Sequence, residues 1–496
     1  MSPVPTFVGL HGTKLQVAVA FLAGMDFLLF GYDQGVTGGL LTLKSFTRYF
    51  PEIDTSSQYY GQLPPSKQSI TVAAYNLGCL FGAIPTIWLG NWLGRRRAIF
   101  LGSSIMVVGA LLQCAAYHLP QLIVGRIITG FGNGINTSTV PTWQSECCKA
   151  NRRGQMVMME GAMITLGITI SYWIDFGLLF ADPNSIAWRF PLAFQIFFAL
   201  IIVSFVMFLP ESPRWLVLKG RDGEAKRNLS ALTGQEPDAE HIQSEFTAIK
   251  ATVLEMSKGS FGDLFTMGPD RHFHRVVLAY VCQMFQQISG INLITYYIPK
   301  LLENLKMGTV NSRLISACNG TEYFLASWLG TPVGNIACTV FMFVFNTCFA
   351  IGWLGMTWLY PAEIVPLKIR APANAVSTSA NWTFNFLVVM ITPVAFENIG
   401  YRTYIIFAVL NAFMFPVVFF FFPETTHRSL EEMDRIFHKT KSVFGLVRTA
   451  RDEPHAYGKH GELLRNLDDV EDDAVRRAST MDKVVEKTSH ETDVQV

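Results

Sequence analysis

Residues 275–301 read RVVLAYVCQMFQQISGINLITYYIPKL, an apolar run interrupted by amide side chains. About 20 apolar residues are enough for a helix to cross a lipid bilayer, so the sequence predicts a membrane span here. Gln283, Gln286, Gln287 and Gly290 follow the spacing i, i+3, i+4, i+7, which places them on one face of that helix. Three glutamines on one face inside a membrane predict a polar binding site.

The same span is predicted to break near Ser289-Gly290. Asn292 falls off the glutamine face of a continuous helix and joins it only if the helix unwinds or turns here. Transporters place their sites at broken helices in mid-membrane, because the freed backbone groups can line a polar cavity. The alternative is that the amides only bridge neighbouring helices, which is the common role of a lone glutamine in a membrane.

Ten more apolar runs of similar length occur along the 496-residue chain. They lie at residues 15–41, 68–90, 98–118, 121–143, 155–179, 187–209, 311–329, 333–360, 371–396 and 401–422. Eleven such runs predict an all-α integral membrane protein. The first run is too long for a cleaved signal peptide and is followed by many spans, so it is predicted to be a signal anchor.

The composition also points to a membrane protein. Apolar residues make up 50% of the chain and charged residues 16%, whereas a soluble domain has about 25% charged residues. This argues against a soluble enzyme, a disordered chain and a disulfide-stapled secreted domain. The net charge of +1 offers no electrostatic footprint for nucleic acid. The cysteines lack the spacing of a zinc site or disulfide framework, so no metal is expected.

A hydrophilic stretch separates the spans into two predicted bundles. Lys and Arg concentrate in this stretch and in the loops after the second and fourth spans, which the positive-inside rule places in the cytosol with both termini. Residues 440–496 are highly charged and poor in aromatic residues, which predicts disorder. The predicted organisation is a cytosolic N-terminus at 1–14, a six-helix bundle at 15–209, a cytosolic central loop with short amphipathic helices at 210–274, a C-terminal bundle at 275–422 and a mostly disordered cytosolic tail at 423–496.

The ionisable side chains inside the predicted spans of the first bundle include Asp26, Asp33, Arg126 and Glu160. Such residues are costly in a membrane and therefore suggest function. Asp26 and Asp33 are seven residues apart and share a helix face. Asp26 lies near the predicted membrane edge, where a solvated charge at the end of a helix is an equally good interpretation.

Seven short motifs follow one another along residues 15–437. They are Phe30-Gly31-Tyr32-Asp33, Gly94-Arg95-Arg96-Arg97, Pro141…Glu146 with Arg153-Gly154, Pro210-Glu211-Ser212-Pro213-Arg214-Trp215-Leu216, Gln286-Gln287…Gly290…Asn292…Tyr296-Tyr297, Tyr360-Pro361-Ala362-Glu363 and Pro423-Glu424-Thr425. In this order the motifs resemble the sugar porter family of the major facilitator superfamily, in its fungal branch. The resemblance implies two pseudo-symmetric six-helix bundles that expose a sugar alternately to each side of the membrane.

The resemblance also implies a set of sugar-binding residues. They are Gln286, Gln287, Asn292, Trp358 and Asn381. The amides suit a hexose because its hydroxyls seek donors and acceptors, and the tryptophan suits its C–H face. Asn381 takes a place that often holds glutamine. The family's glutamine in the fifth span is replaced by Gly161, with Glu160 beside it, so the identity of the sugar stays open.

For proton coupling, the resemblance points to Asp33 and Arg126. They match the family's acid in the first span and its arginine in the fourth. Burial favours a neutral carboxyl group, whereas a nearby guanidinium favours the charged one. An aspartate that meets Arg126 in one state and leaves it in another would take up and release a proton, which favours symport.

The charged motif residues are implied to form a cytosolic gating network that latches the outward-open state. Its members are Arg95, Arg96, Glu146, Arg153, Glu211, Arg214, Glu363 and Arg370. Asn91 and Trp92 stand where the family often has an acid and a base, so a weakened latch is expected. The alternative is a purely structural set of ion pairs, since exposed pairs contribute little.

The second bundle is one span short of the twelve-span family pattern. Only two spans separate the glutamine motif from Glu363, where the pattern has three, and the second Gly-Arg-Arg loop is missing. The gap is predicted near residues 328–333. With eleven spans, Lys368, Arg370 and the tail would face outside, against the positive-inside rule. Skipped coding sequence, a splice variant and a degenerate paralogue are the three explanations, and the first is favoured because the predicted sugar and proton residues survive.

The sequence therefore predicts a plasma-membrane transporter of a sugar, most simply a hexose, coupled to proton import. Its expected partners are the sugar, the proton and the lipid bilayer, and a monomer is expected. The alternatives are a non-transporting sugar sensor and an inactive paralogue that lacks one helix. An enzyme and a cofactor are not expected, because the chain has no metal-ligand histidine cluster, P-loop or GxSxG motif. His272 and His274 are predicted to be solvated loop residues.

Overall fold

The computed structural model is built from helices throughout its described residues. It describes residues 4–53, 66–148, 153–237, 239–257, 261–268, 270–304, 308–329, 339–366, 369–400, 402–426, 428, 430–440 and 442–453. The α-helices are α1 (Gly12–Leu40), α2 (Lys44–Tyr49), α3 (Ser66–Ala83), α4 (Thr86–Leu93), α5 (Arg95–Cys114), α6 (Leu119–Cys147), α7 (Arg153–Leu179), α8 (Ile186–Val206), α9 (Pro213–Leu218), α10 (Asp222–Thr233), α11 (Glu240–Ser257), α12 (His272–Ile288), α13 (Ile291–Asn304), α14 (Thr309–Leu329), α15 (Thr339–Phe349), α16 (Met356–Ile364), α17 (Arg370–Ile399), α18 (Arg402–Phe421), α19 (Leu430–Lys439) and α20 (Leu446–Asp452). The predicted all-α architecture is confirmed.

Helical segments occupy the described part of each of the eleven predicted spans. Seven are long and apolar enough by themselves to cross a membrane: Gly12–Leu40, Arg95–Cys114, Met159–Leu179, Ile186–Val206, His272–Glu303, Pro372–Ile399 and Arg402–Phe421. The other four are α3 with α4, α6, α14, and α15 with α16. A π-helical segment, Ala350–Leu354, connects α15 towards α16.

The break predicted in the glutamine-bearing span is present. Helix α12 ends at Ile288 and α13 begins at Ile291. Gly290 between them has φ = +100°, a left-handed conformation that glycine adopts without strain. A Cβ atom here would also lie 2.9 Å from Phe407 on α18, so the turn needs glycine for space as well as for conformation.

Close helix packing in the N-terminal half depends on glycine. A Cβ atom added to Gly31 of α1 would lie 1.9 Å from the carbonyl oxygen of Ile164 on α7, and one added to Gly167 would lie 2.1 Å from that of Leu28. Small residues let the backbones of membrane helices approach in this way, and packing of that kind drives their association.

We expect Gly31→Ala to lower the melting temperature of the protein by several degrees. The added methyl group forces α1 and α7 apart, and overpacking of a tight contact costs about 1–3 kcal/mol. Gly177→Ala on α7 is the matched control, because a Cβ atom there meets nothing within 4 Å. The measurement is thermal unfolding of the detergent-solubilised protein, followed by size-exclusion chromatography. Equal melting temperatures for the two variants would contradict the close approach.

Helices α14 and α15 run parallel, which locates the missing span. Asn346 of α15 donates to Asn319 of α14 (2.8 Å), and Phe349 packs on Tyr323 with ring centroids 6.4 Å apart. In these two contacts the later residue of α15 pairs with the later residue of α14, which means that the two helices run parallel. With this register, the start of α15 lies about 25 Å from the end of α14, measured along the helix axis. Only residues 330–338 separate the two helices, and a helix of that length rises about 14 Å. The chain therefore lacks the crossing that the twelve-span pattern places here.

The prediction for the two histidines before the glutamine-bearing span needs correction. His272 and His274 are 6% and 5% exposed at the start of α12, so they are not solvated loop residues. The central loop ahead of them holds α9 to α11, packed around a buried cluster that includes Trp215 and Phe246.

The chain divides into two compact units, residues 1–418 and 419–496. In the second unit, the prediction of disorder from residue 440 is wrong for α20 (Leu446–Asp452). This helix buries Leu446, and Arg428 donates to the carbonyl oxygens of Ala450 and Glu453 at its C-terminal end. A cation at this end satisfies free carbonyl groups and complements the helix dipole. Residues 454–496 of the predicted tail lie outside the described residues.

Candidate functional site

Five amide side chains from α12, α13 and α17 form one chain of hydrogen bonds. Asn381 Nδ2 donates to Gln283 Oε1 (2.6 Å) and to Gln286 Oε1 (2.7 Å). Gln287 Nε2 donates to Gln286 Oε1 (3.1 Å), and Asn292 Nδ2 donates to Gln287 Oε1. The break after α12 turns Asn292 back towards the glutamine face, so the local backbone explains how these amides meet.

The π-helical segment and the first turn of α16 hold this amide chain in place. Gln286 Nε2 donates to the carbonyl oxygen of Trp353 (3.2 Å), and Gln283 Nε2 donates to that of Thr357 (2.8 Å). Short π segments disturb the regular helix ladder and often mark functional sites. Asn381 is fully buried, and its Oδ1 has no partner among the described residues, so an acceptor remains for a ligand hydroxyl.

A cavity of about 30 Å³ lies against the amide chain. Its lining includes all five residues predicted to bind the sugar: Gln286, Gln287, Asn292, Trp358 and Asn381. Typical ligand pockets measure about 300–1,000 Å³, so this cavity is in a closed form and must widen to admit a hexose.

The N-terminal half supplies the other wall of this cavity, which the sequence analysis missed. Phe30 and Gln34 on α1 and Ile164 and Ile168 on α7 line it. Each pair has i, i+4 spacing and therefore occupies one helix face. Gln34 could have been predicted from the sequence as a lining residue, because its amide directly follows the acid of the Phe30–Asp33 motif. Because both halves contribute, the cavity lies between them.

We call the end of the molecule that carries Arg95 and the start of α12 the Arg-rich end. Contacts between the two bundles close the cavity at the opposite end. At the opposite end, Arg313 of α14 donates to the carbonyl oxygens of Gly39 (2.6 Å) and Asp175 (3.1 Å). Lys300 donates to Gln68 Oε1 (2.7 Å) in the same region. These contacts must break before a ligand can enter from the opposite end.

Asp33 and Arg126, the predicted proton-coupling residues, are both buried inside the N-terminal half. They are 0% and 2% exposed, and the charge of Arg126 acts on Asp33. In the described chain neither carboxylate oxygen of Asp33 has a hydrogen-bond partner, and Arg126 instead donates to the carbonyl oxygen of Val72 (3.4 Å) and lies over the Tyr75 ring. The two charges are therefore near each other without a direct salt bridge. Gln34, the next residue after Asp33, faces the cavity.

At the Arg-rich end, the structure brings four residues of the predicted gating network together. Arg95 binds Glu146 through two hydrogen bonds of 3.1 and 3.2 Å, and both side chains are 10% exposed. Glu211 accepts from the backbone N–H groups of Arg95 (3.1 Å) and Arg96 (3.2 Å) at the start of α5. A carboxylate at a helix N-terminus is stabilised by the helix dipole. All four residues belong to the N-terminal half or its junction with the central loop.

The remaining network residues are more scattered. Arg214 on α9 lies close enough for its charge to act on Glu146. Glu363 is half-buried near the end of α16, and Arg370 donates to the carbonyl oxygen of Val365 (3.2 Å) just after that helix. Arg153 begins α7, but its side chain lies outside the described residues, as does that of Asn91. Trp92 is 73% exposed.

Comparison with known proteins agrees with this architecture. The family model described as "Sugar (and other) transporter" matches residues 18–333 and 315–437. The two matches overlap at residues 315–333, which means that two separate parts of the family model align to this one stretch of the chain. That overlap coincides with the missing crossing between α14 and α15.

Full-length relatives extend the match. The sugar transporter STL1 of Saccharomyces cerevisiae is 37% identical over 472 residues, covering 87% of this chain and 83% of that protein. The low-affinity glucose transporter HXT1 of the same yeast is 29% identical and covers 88% of this chain and 84% of that protein. The proton:xylose symporter XylE, solved with 6-bromo-6-deoxy-D-glucose, superposes with a TM-score of 0.72 at 21% identity, covering 86% of this chain and all of that one. The predicted major facilitator fold is confirmed.

Proposed function

Because the chain belongs to the Sugar (and other) transporter family, whose members are multi-pass membrane transporters and not enzymes, we propose that it carries a hexose across the membrane by alternating access. The observation that carries this proposal is the cavity between the halves, which is lined by four of the five hydrogen-bonded amides: Gln286, Gln287, Asn292 and Asn381. Each hydrogen bond between two amide side chains can be replaced by a hydrogen bond to a sugar hydroxyl. The total number of hydrogen bonds therefore changes little when the sugar binds. The rings of Phe30 and Trp358 offer apolar surface to the C–H face of a sugar.

Proton coupling is the second part of the proposal. Asp33 is buried, has unpartnered oxygens, and lies next to Gln34, which lines the cavity. A widening of the cavity would move α1 and change the distance from Asp33 to Arg126, and with it the preference of the carboxyl group for a proton. The name of XylE describes a proton symporter, and the fold similarity is compatible with the same arrangement here.

The orientation follows from charge. We place the Arg-rich end, both termini and the central loop in the cytosol, because Lys and Arg concentrate there. Plasma-membrane residence and a monomeric state complete the proposal. In this orientation the structure is closed towards the outside by Arg313 and Lys300.

Counterflow in proteoliposomes tests the proposal. We expect vesicles that contain the purified chain and unlabelled D-glucose to take up labelled D-glucose from outside, whereas L-glucose does not compete. D-xylose, a polyol and a disaccharide added as competitors would rank the substrate classes. Saturable binding without exchange would instead support the sugar-sensor alternative. The absence of both binding and exchange for every sugar would contradict the proposal.

A further inference from the structure

One face of α1 is directed at the C-terminal half, and Phe30, Gln34 and Gly38 follow one another along it at intervals of four residues. The ring of Phe30 packs edge-on against Trp382 of α17, with ring centroids 5.2 Å apart. A Cβ atom on Gly38 would lie 2.7 Å from the carbonyl oxygen of Tyr296 on α13. Contacts one turn before and one turn after Gln34 therefore place it opposite α13 and α17, which both contribute to the amide chain.

Gln34 is a buried amide without a hydrogen bond. It is 6% exposed and lines the cavity, yet within the described chain its side chain neither donates nor accepts a hydrogen bond. The other amide of α1, Gln16, is 3% exposed and donates to the carbonyl oxygen of Leu232 (2.8 Å). Asp26, two turns before Gln34, is 1% exposed and accepts from Asn136 (2.7 Å), so the solvated position considered for Asp26 is wrong. Because an unpartnered buried amide is unfavourable, Gln34 indicates a partner that enters the cavity.

The wall that carries Gln34 is otherwise apolar. Among the described residues of the N-terminal half that line the cavity, the other three are Phe30, Ile164 and Ile168. The amide chain lies on the opposite wall, and its members bond to one another and to α16 and the π-helical segment rather than to Gln34. A ligand that forms hydrogen bonds with both walls must therefore reach from the amide chain to Gln34.

We propose that Gln34 is a specificity-determining residue that binds two adjacent hydroxyl groups of the sugar, across the cavity from the amide chain. The amide group presents an accepting oxygen and a donating nitrogen side by side. Two neighbouring hydroxyl groups, a vicinal diol, can satisfy both atoms at once, because each hydroxyl both donates and accepts. The preferred substrate then has hydroxyl groups on two opposite edges, one of which carries this diol. The role of Gln34 rests on the proposed function, because it requires the sugar to occupy this cavity.

The position of Gln34 also links substrate recognition to the two halves. A sugar that bonds to Gln34 and to the amide chain connects α1 to α12, α13 and α17. A sugar that lacks one hydroxyl of the diol keeps its contacts with the amide chain but leaves the buried amide of Gln34 incompletely paired, which weakens its binding. The N-terminal half thereby selects among ligands that the C-terminal half binds equally well.

Isothermal titration calorimetry of the purified full chain tests this role. The ligands are D-glucose and its monodeoxy derivatives, and the proteins are the wild type and Gln34→Leu. Gln34→Leu should bind D-glucose about tenfold more weakly, because hydrogen bonds to the sugar are lost. Removal of either hydroxyl of the diol should weaken binding by the wild type by a similar factor. The same removal should change binding by Gln34→Leu less than about twofold, because the partner of that hydroxyl is already gone.

Thermal stability separates a contact with the sugar from a structural role. Because Gln34 has no hydrogen bond within the described chain, Gln34→Leu should melt at the wild-type temperature or above it in the absence of sugar. Added glucose should stabilise this variant less than the wild type. Gln16→Ala is the matched control, since it removes the bonded amide of the same helix. It should melt lower and bind each sugar like the wild type. If Gln34→Leu does not elute as a single species, Gln34→Met, which keeps the length of the side chain, replaces it.

The outcomes for Gln34 and for the proposed function are distinct. If Gln34→Leu weakens the binding of D-glucose and of every deoxy derivative by the same factor, no hydroxyl contacts Gln34, and its role is overturned while sugar binding stands. A clear loss of stability in the sugar-free variant would also overturn it. If the wild type does not bind D-glucose, the comparison is repeated with D-xylose and a polyol and their deoxy derivatives. Absence of binding for all of them would overturn both the proposed function and the role of Gln34.

Discussion

Gln286→Ala should lower the affinity for D-glucose about a hundredfold while the protein remains folded. Gln286 lies at the centre of the amide chain, where it accepts from Asn381 and Gln287 and donates to the carbonyl oxygen of Trp353. Its loss removes a sugar partner and leaves buried donors without acceptors, and each unsatisfied group costs about 1–3 kcal/mol. A total near 3 kcal/mol corresponds to about a hundredfold in affinity. Isothermal titration calorimetry of the purified protein with glucose measures the dissociation constants of the wild type and the variant.

Gln113→Ala is the matched control for this variant. Gln113 is also fully buried and donates to Thr129 Oγ1 (2.7 Å), but it joins α5 to α6 and does not line the cavity. We expect it to lower thermal stability and leave glucose affinity within a factor of about two, because its contacts are remote from the site. If both variants bind glucose equally well, the amide chain is a structural bridge between helices, as the alternative held.

The part of the site that could be predicted from sequence is the part built by local structure. The spacing of Gln286 and Gln287 placed them on one helix face, and Gly290 indicated the break that returns Asn292 to that face. These are consequences of helix periodicity and of glycine's conformational freedom, both of which are properties of a short segment.

The opposite wall could not be predicted in the same way. Ile164 and Ile168 are ordinary apolar residues of a membrane helix, and only the packing of α7 against the C-terminal half makes them lining residues. Arg313 shows the same limit. Its position in α14 does not reveal its partners, whereas in the structure its guanidinium closes one end of the cavity by donating to two carbonyl groups from the other half.

The missing crossing was predictable because it breaks a global rule. Successive membrane helices joined by short loops run antiparallel, and the positive-inside rule then assigns each loop a side. The sequence violated the charge rule near Arg370, and the structure shows the geometric counterpart, with α14 and α15 parallel across Asn319 and Asn346. What sequence could not provide was the side-by-side register that reveals this direction.

Asp33→Asn should abolish accumulation of sugar against a gradient, so that the internal-to-external ratio falls to about one, while counterflow continues. Asparagine keeps the size of the side chain but cannot take up or release a proton, so the energy of the proton gradient no longer reaches the sugar. The sugar contacts are unchanged, because Asp33 faces the interior of the N-terminal half while Gln34 faces the cavity. The measurement is labelled glucose uptake in proteoliposomes with an inward proton gradient, before and after addition of a protonophore.

Asp222→Asn separates loss of coupling from general loss of charge. Asp222 lies at the start of α10 and forms an exposed ion pair with Lys250 (2.6 Å), and pairs of this kind contribute little to stability. It should therefore accumulate glucose like the wild type. Because Asp33 and Arg126 lie near each other without a direct salt bridge in this closed structure, the coupling requires another state in which their separation changes. Accumulation by Asp33→Asn would show that no such exchange drives transport and would move the coupling site elsewhere, with Asp26 and Glu160 as the next acids to test.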